Sequence, residues 1–306
     1  MISGTYRAQV DLLLQLLPLV AAEEYFALKG GTAINLFVRD MPRLSVDIDL
    51  TYVHFDDRAT ALGNISQAVR SIKERVEKML SGVRADIQAQ ADGPEARLVC
   101  SLSHAQVKVE VNTVMRGIIQ PTRLMQVTDR VQEEFEKFAA IQVVSYAELF
   151  GGKICAALDR QHPRDLFDVH YLLEEGLTSD VKEGFVASLL SHNRPVHEML
   201  RPHFHDQRQV FENQFQGMVD ASFTYEDFEA TRERLVSEIA SALTSEDKDL
   251  LISFESGEPD WGLSRIECLR QLPAVQWKLQ NVCKLIRENP RKHAEMLQAL
   301  KDTLST

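Results

Sequence analysis

One amphipathic segment, residues 57–82, constrains the fold more than any other part of the chain. Its apolar residues recur at alternating steps of three and four, which places them on a single stripe of a helix. This stripe consists of Leu62, Ile65, Val69, Ile72, Val76, Met79 and Val83. Asp56 or Asp57 can cap the start of the helix. Because a helix with one apolar face must pack that face on another element, the sequence predicts a long helix against a sheet, with a partner-binding helix as the alternative.

The strands of that sheet are predicted on both sides of the helix. The β-like runs are 25–28, 46–52, 84–91, 96–103 and 106–114. The second run alternates, with Asp47, Asp49 and Thr51 on one face and apolar residues on the other. This alternation is typical of a strand that is buried on one side.

The pattern changes to helices after about residue 125. Helices are predicted from Ser145 to about Arg160, from Pro163 to near Gly176, from Thr224 onward, and over the C-terminal end. A further helix at 10–20 is expected to kink or end early at Pro18. The expected fold class is α/β (α+β), with a mixed unit over residues 1–125 and a mainly helical domain over residues 126–306.

Charge limits the classes of protein to which this chain can belong. Its 306 residues carry a net charge of −11, which argues against a general nucleic-acid coat protein but not against a local basic groove. Residues 265–292 hold a concentration of cations: Arg265, Arg270, Lys278, Lys284, Arg287, Arg291 and Lys292. These cations either form an RNA-binding surface or are the solvated side of a helix whose apolar stripe packs inward.

Features of membrane proteins and disulfide-rich proteins are missing from the sequence. No segment approaches the run of about 18 apolar residues that spans a bilayer. The four cysteines, Cys100, Cys155, Cys268 and Cys283, form no C-x-x-C pair, and their spacing suggests neither a zinc site nor a disulfide framework. A reduced, cytoplasmic setting is expected.

Two acids lie on the polar face of the predicted strand 46–52. Asp47 and Asp49 are two residues apart, so both carboxylates point to the same side. Neighbouring carboxylates repel one another, and a hard cation such as Mg²⁺ binds such oxygen donors together with substrate phosphates. A metal site is one interpretation of this pair, and a solvated strand face is the other.

A glycine turn precedes the two acids. Gly30 and Gly31 end one predicted strand and open a short helix, which allows close backbone approach to an anion and points amides at it. Thr32 adds a hydroxyl group. The alternative is an ordinary strand-to-helix turn. Neither this turn nor Gly152-Lys153 has the glycine spacing of a Walker A loop.

A third acid, Glu110, lies on the polar face of the predicted strand 106–114. If that strand neighbours the one with the acidic pair, Glu110 lies alongside the pair. A third carboxylate is common in sites that hold two metal ions for phosphoryl transfer. Otherwise Glu110 is a surface residue beside Lys108. The sequence leaves both possibilities open.

Several blocks of sequence resemble one family. Residues 26–37 (FALKGGTAINLF) and 43–50 (RLSVDIDL) closely resemble the AbiEii/AbiGii toxins, which include the MenT-like toxins. Residues 148–153 (ELFGGK) and 163–168 (PRDLFD) look like the lysine and R-D-x-x-D motifs of that family. Residues 273–281 (PAVQWKLQN) resemble its C-terminal signature. The family belongs to the polymerase-beta-like nucleotidyltransferase superfamily, so the resemblance implies that fold for the first domain.

The resemblance also implies roles for individual residues. The implied metal ligands are Asp47, Asp49 and Glu110, and the implied nucleotide-binding residues are Gly30, Gly31, Thr32, Ser45 and Lys153. The implied catalytic set is Asp47, Asp49, Lys153 and Asp168, with Arg164 and Asp165 supporting Asp168. Gly30-Gly31 departs from the Gly-Ser pair that is frequent in the superfamily, and Thr32 would supply the hydroxyl instead.

The lysine and R-D-x-x-D motifs also have a purely structural interpretation. Lys153 and Arg160 are seven residues apart and share a helix face, and Arg164 can pair with Asp168 four residues later. These side chains could clamp two helices through salt bridges. Alternatively, Lys153 could take part in the chemistry of a metal-bound triphosphate.

The resemblance implies an enzyme. This enzyme would be a Mg²⁺-dependent nucleotidyltransferase, with Mn²⁺ as the alternative ion, that transfers a nucleoside monophosphate from an NTP to an acceptor. The implied setting is a type IV toxin–antitoxin or abortive-infection system, with a tRNA 3′ end as acceptor and a transcription-factor-like antitoxin as partner. Two other functions stay open: a protein AMP-transferase, and a nucleotide-binding module without activity.

Overall fold

The structure is a computed structural model that describes residues 4–88, 94–219 and 222–305. Its strands are β1 (Phe26–Lys29), β2 (Asp47–Tyr52), β3 (Arg84–Gln88), β4 (Arg97–Leu102), β5 (Ala105–Asn112), β6 (Arg123–Gln126) and β7 (Ala140–Val143). They form one seven-stranded sheet in the order β3-β4-β5-β2-β1-β7-β6. The mixed sheet expected from the sequence is confirmed. Residues 89–91 of the predicted run 84–91 lie outside the described residues.

The α-helices of the described residues include those predicted from the sequence at 10–20, 57–82, 145–160 and 163–176, from Thr224 onward and at the C-terminal end, together with helices that the pattern does not single out. They are α1 (Gly4–Ala21), α2 (Gly30–Ala33), α3 (Arg58–Met79), α4 (Asp129–Phe135), α5 (Tyr146–Arg160), α6 (Pro163–Glu175), α7 (Ser179–Ser191), α8 (Val196–Leu200), α9 (Arg208–Gln214), α10 (Tyr225–Ala242), α11 (Ser245–Glu255), α12 (Pro273–Glu288) and α13 (Pro290–Leu304). Pro163 occupies the first turn of α6, as predicted. The helix predicted from Thr224 onward is α10, and Thr224 and Asp227 form a reciprocal capping box at its start.

The chain divides into two compact units. One consists of Met1–Ser145 with Glu212–Ser222, and the other of Tyr146–Phe211 with Phe223–Thr306. The first unit contains the sheet. It continues beyond residue 125 because β7 pairs in parallel with β1 and β6 pairs with β7. Both strands have only four residues, and β6 is largely exposed, so the sequence gives them little periodicity.

The strand β2 lies between β1 and β5 in the sheet. It is antiparallel to β1 and parallel to β5. On one face of β2, Ile48 and Leu50 are fully buried. On the other face, Asp47 and Asp49 are partly exposed. The alternation in the sequence therefore predicts correctly which side chains of this strand point away from the core.

The helix α3 forms where the apolar stripe predicts it, and it packs on β3. The Asp57 carboxylate caps it by accepting hydrogen bonds from the amides of Ala59 (2.9 Å) and Thr60 (3.1 Å). The buried residues of α3 are Ala61, Ile65, Ala68, Val69, Ile72 and Val76. Met79, which the stripe includes, is 63% exposed because the helix ends at this residue.

The helix α1 continues through Pro18 to Ala21 and does not end early. An internal proline costs about 3 kcal/mol through a lost backbone hydrogen bond and a steric clash. Eight apolar side chains of α1 are buried, and each contributes roughly 1.5–3 kcal/mol. Burial therefore outweighs the cost of the proline.

In the helical unit, α5 and α7 approach each other at two glycines. A Cβ atom at Gly151 would lie 2.2 Å from the carbonyl carbon of Gly184, and one at Gly184 would lie 2.0 Å from the carbonyl oxygen of Ala147. These distances leave no room for a methyl group between the two backbones. The close approach fixes the position of α5, the helix that carries Lys153.

Gly151→Ala is expected to destabilise the protein by about 3 kcal/mol, at the upper end of the range for overpacking, because the new methyl group meets backbone atoms. Gly152→Ala is the matched control. There the nearest atom, the hydroxyl oxygen of Ser188, is 3.9 Å from the new Cβ, so the change should stabilise the helix by up to about 1 kcal/mol. Urea unfolding of both variants measures the difference. Equal stabilities would contradict the close packing of α5 and α7.

Candidate active site

Four charged side chains lie in one row across the sheet. Lys29 on β1 is opposite Asp49 on β2, Asp49 is opposite Glu110 on β5, and Glu110 is opposite Arg97 on β4. Side chains of residues that are directly opposite point to the same face of a sheet. These four residues line a cavity of about 340 Å³. The structure thus brings Glu110 next to Asp49, which the sequence predicts only if the two strands are neighbours.

Asp47 is one alternation before Asp49 on the same strand, and its neighbour on β5 is Lys108. The acidic pair and Glu110 therefore form one group of carboxylates, with a cation beside it on each neighbouring strand. Two adjacent carboxylates repel each other, and nearby positive charge reduces that repulsion.

Arg97 binds Glu110 with both ends of its guanidinium group. Its Nε atom donates to Oε2 at 3.0 Å, and its Nη2 atom donates to Oε1 at 2.8 Å. This hydrogen bonding with Glu110 raises the pKa of Arg97 above its usual value. No pattern in the sequence singles out Arg97. Period two can place Arg97 and Glu110 on polar faces, but it does not reveal that they are opposite each other.

The glycine turn lies directly against one of the acids. Gly30 has a φ angle of +74°, which L side chains rarely adopt. A Cβ atom on Gly30 would lie 2.6 Å from the Oδ2 atom of Asp49. Glycine is therefore needed at this position for two reasons, the backbone angle and the contact with the carboxylate.

Gly31 is crowded by two side chains from the segment before β2. A Cβ atom at this position would lie 2.8 Å from the Nη2 atom of Arg43 and 3.0 Å from the hydroxyl oxygen of Ser45. Arg43 is 2% exposed and donates to the carbonyl oxygen of Leu44 at 2.9 Å. Arg43 opens the block that resembles the AbiEii toxins, but no pattern in the sequence singles out its side chain.

Thr32 and Ser45 connect the turn to β2. Thr32 is fully buried, and its hydroxyl group donates a short hydrogen bond to the carbonyl oxygen of Asp47. The hydroxyl oxygens of Thr32 and Ser45 are 3.0 Å apart, and Ser45 is 6% exposed. Thr32 thus ties the turn to the first residue of the acidic strand, and Ser45 contacts Thr32.

The donor set of the site suits a divalent cation. Hard cations such as Mg²⁺ prefer carboxylate oxygens, and Asp47, Asp49 and Glu110 supply them from neighbouring positions. In the described residues, however, no group of three or more acids, histidines or cysteines is arranged to hold a metal ion. Both oxygens of Glu110 already accept hydrogen bonds from the cation Arg97 in this structure.

In the helical unit, Lys153 lies between two buried acids of α6. Its Nζ atom is 2.8 Å from Oδ1 of Asp165 and 3.0 Å from Oδ2 of Asp168, and Lys153 is 6% exposed. Arg160 adds two bonds to Asp165, at 2.6 Å and 3.0 Å. The expected sharing of a helix face by Lys153 and Arg160 is thus confirmed. Asp168 forms an ion pair with Lys153. The pairing of Asp168 with Arg164 that the spacing allows stays a prediction.

The two cations determine the ionisation of Asp165. Burial alone would raise the pKa of Asp165, but Lys153 and Arg160 more than offset burial and hold the pKa well below its usual range. Asp165 is therefore a carboxylate at neutral pH. The predicted salt bridges between α5 and α6 are therefore present. Catalytic roles for Lys153 and Asp168 stay predictions.

Comparison with known proteins identifies the family. The sequence model of the nucleotidyl transferase AbiEii toxin family, of type IV toxin–antitoxin systems, matches residues 11–281. The chain belongs to this AbiEii family. It is therefore a nucleotidyltransferase and the toxin of a type IV toxin–antitoxin system. The family resemblance found in the sequence is confirmed. No curated protein gives a significant match to the chain.

One solved structure has a fold similar to that of this chain. MenT4, a nucleotidyltransferase toxin from Mycobacterium tuberculosis H37Rv, is similar over 90% of this chain and 93% of its own, with a TM-score of 0.61 and 15% identity. A protein from H. pylori that is proposed to be a nucleotidyltransferase covers 79% of this chain and 96% of its own, with a TM-score of 0.40 and 16% identity. The second similarity is too weak to support the fold.

The structure corrects one member of the basic cluster at 265–292 in this AbiEii toxin. Lys278 is 7% exposed, and its ammonium group donates to the carbonyl oxygens of Leu189 (3.0 Å) and Arg194 (3.1 Å). It therefore holds helices together and does not face solvent. The other cations are exposed, although Arg265, Lys284 and Arg291 form ion pairs with nearby acids.

No helix within the described residues is both long enough and apolar enough to cross a membrane.

Proposed function

We propose that this toxin transfers a nucleoside monophosphate from an NTP to the 3′ end of tRNA and that it uses Mg²⁺. The proposal rests mainly on one observation. Asp49 and Glu110 are direct neighbours in the sheet, Asp47 shares their face, and the glycine turn touches Asp49. Carboxylates for a metal ion and backbone amides for a phosphate thus lie side by side, which is what transfer of a nucleotide requires.

In this proposal, Asp47, Asp49 and Glu110 hold the metal, with Mn²⁺ as an alternative to Mg²⁺. Once bound, the ion would help to activate the acceptor oxygen and to stabilise the leaving pyrophosphate. Gly30 and Gly31 would bind the phosphates through backbone amides at the start of α2. The chain itself supplies a preformed turn, since the φ angle of Gly30 and its contact with Asp49 already fix the backbone there.

The contacts of Thr32 and Ser45 refine their expected roles as nucleotide-binding residues. Both side chains are buried and lie close to each other, and the hydroxyl group of Thr32 is bonded to the backbone of Asp47. We therefore propose that they act by fixing the turn relative to the acids. Lys153 and Asp168 keep their proposed roles, which are neutralising the triphosphate and positioning acceptor or nucleotide.

For the acceptor, we propose that the helical unit binds tRNA through the exposed cations of 265–292. Arg270, Arg287 and Lys292 are exposed and are the strongest candidates. Cations that contact phosphates give binding that weakens steeply as salt concentration rises. The proposed setting is the cytoplasm, where NTPs and tRNA are present, and the proposed partner is an antitoxin of the transcription-factor type.

Incubation of the purified chain with each labelled NTP, Mg²⁺ or Mn²⁺, and total cell RNA tests this function. We expect label to enter tRNA only when the divalent ion is present. The label should stay on the tRNA when its 5′ end is removed and should be lost when its 3′ end is removed. A parallel reaction with total cell protein separates the alternatives. Label in protein would make the chain an AMP-transferase type of enzyme, and no incorporation with either acceptor would contradict the proposal.

A further inference from the structure

The ion pair between Arg97 and Glu110 uses both oxygens of the carboxylate. Each oxygen of Glu110 accepts one hydrogen bond from the guanidinium group, at 3.0 Å and 2.8 Å. Such a planar, two-point contact is the strongest geometry available to an arginine and a carboxylate. The two side chains remain 37% and 42% exposed, and both line the cavity of about 340 Å³. A small ion in that cavity can therefore reach the pair.

The charges along the row explain why an arginine is useful at this place. Asp49 and Glu110 are directly opposite each other on β2 and β5, so two negative charges are adjacent in the sheet. Like charges that are opposite each other destabilise a sheet. Arg97 neutralises Glu110 from the far side, and Lys29 lies opposite Asp49 at the other end of the row. The two negative charges of the row are thus balanced by two positive charges without a metal ion.

The same hydrogen bonds compete with a metal ion. Arg97 occupies one lone pair on each oxygen of Glu110, so a cation that ligates this carboxylate must use the remaining lone pairs beside the guanidinium group. The two positive charges then lie close together and repel each other. The ion and the guanidinium group therefore compete for Glu110.

From this geometry, and on the basis of the proposed function, we propose that Arg97 is a positioning residue that takes the place of the metal ion. It holds and neutralises Glu110 in the metal-free protein and releases the carboxylate when a divalent ion enters. Metal binding then includes the cost of opening this ion pair. The third carboxylate joins the site only when the ion is present.

Calorimetric titration of the complete chain with Mn²⁺ alone, without nucleotide, tests this exchange. Arg97→Gln removes the competitor and should tighten Mn²⁺ binding by about fivefold, the order of effect of one partly exposed ion pair. Lys108→Gln is the matched control for charge, because Lys108 is opposite Asp47 on the same face but makes no bond with Glu110 in this structure. The increase in Mn²⁺ affinity should be larger for Arg97→Gln than for Lys108→Gln.

A double-mutant cycle with Glu110→Gln decides the mechanism. If Arg97 acts by competing for Glu110, then Arg97→Gln should change Mn²⁺ affinity no more than Lys108→Gln does once Glu110→Gln is present. Arg97→Lys serves if Arg97→Gln fails to fold, since lysine keeps the charge but loses the planar fork. It should also tighten Mn²⁺ binding relative to the parent chain.

The outcomes separate this inference from the proposed function. If the parent chain binds Mn²⁺, loses it with Asp49→Asn, and shows equal affinities for the Arg97 and Lys108 variants, the inference is wrong and the proposed metal site stands. Weaker binding by Arg97→Gln would also overturn the inference, since Arg97 would then help to build the site. A parent chain that binds no Mn²⁺ would overturn the proposed metal site and the inference together.

Discussion

Asp49→Asn is expected to reduce nucleotide transfer by at least about 1,000-fold while the fold stays intact. The amide keeps the size of the side chain that packs against Gly30, but it lacks the charge that would hold the metal. A bound metal stabilises the transition state by several kcal/mol, and each 1.36 kcal/mol is a factor of ten in rate. Stability should change little, because the substitution removes both the repulsion between Asp49 and Glu110 and the attraction between Asp49 and Lys29, and these two effects oppose each other.

Single-turnover rates at saturating Mg²⁺, with labelled NTP and tRNA, measure this effect. Asp86→Asn is the control, since Asp86 is an exposed acid on β3 and lies outside the row. The control should keep nearly the full rate, and both variants should keep the melting temperature of the parent chain. Near-normal transfer by Asp49→Asn would mean that the site around Asp49 and Glu110 is not the catalytic centre.

The faces of the central strand could be predicted from the sequence, but its neighbours could not. Alternation alone places Asp47 and Asp49 away from buried Ile48 and Leu50. Which strand lies beside β2, and in which register, depends on contacts between residues far apart in the chain. Glu110 could therefore be named only as a conditional third acid. Arg97, which completes the row, could not be connected to it.

Charge in the sequence was a poor guide to exposure in one instance. Lys278 belongs to the basic cluster at 265–292, yet it is buried and bonded to backbone carbonyls. Its position is three residues after buried Val275 and four before buried Val282, which is the spacing of one helix face. The helical periodicity thus predicts that Lys278 lies on the buried face of α12. A long lysine side chain can follow an apolar face and still satisfy its ammonium group with carbonyl oxygens.

The other large effect is expected from Lys153→Ala, which should destabilise the protein by about 3–5 kcal/mol and reduce transfer strongly. The change leaves Asp165 and Asp168, each 1% exposed, without the ammonium group between them. Removal of one partner of a buried ion pair has this cost because the remaining charge stays buried. Lys153→Arg should recover little of the stability or of the transfer rate, since a planar guanidinium group does not fit the place of a compact ammonium group.

The loss of stability should depend on pH in a defined direction. In the parent chain the pKa of Asp165 lies below its usual range, so the ion pair stabilises fully above the unfolded value of about 4 and less as pH falls below it. Without Lys153, burial opposes ionisation of the carboxylate, and its protonation at low pH relieves the cost. The difference in unfolding free energy between parent and variant should therefore shrink from pH 7 to pH 4.

A second buried ion pair in the same unit separates stability from chemistry. Lys182 on α7 pairs with Asp247 on α11, and both side chains are about as buried as Lys153. Lys182→Ala should thus lose stability to a similar degree but keep its transfer rate at a temperature where all variants are folded. Lys153→Ala should stay slow at that temperature. If both variants transfer at the parent's rate there, Lys153 is only a clamp between α5 and α6, and its proposed action on the triphosphate is wrong.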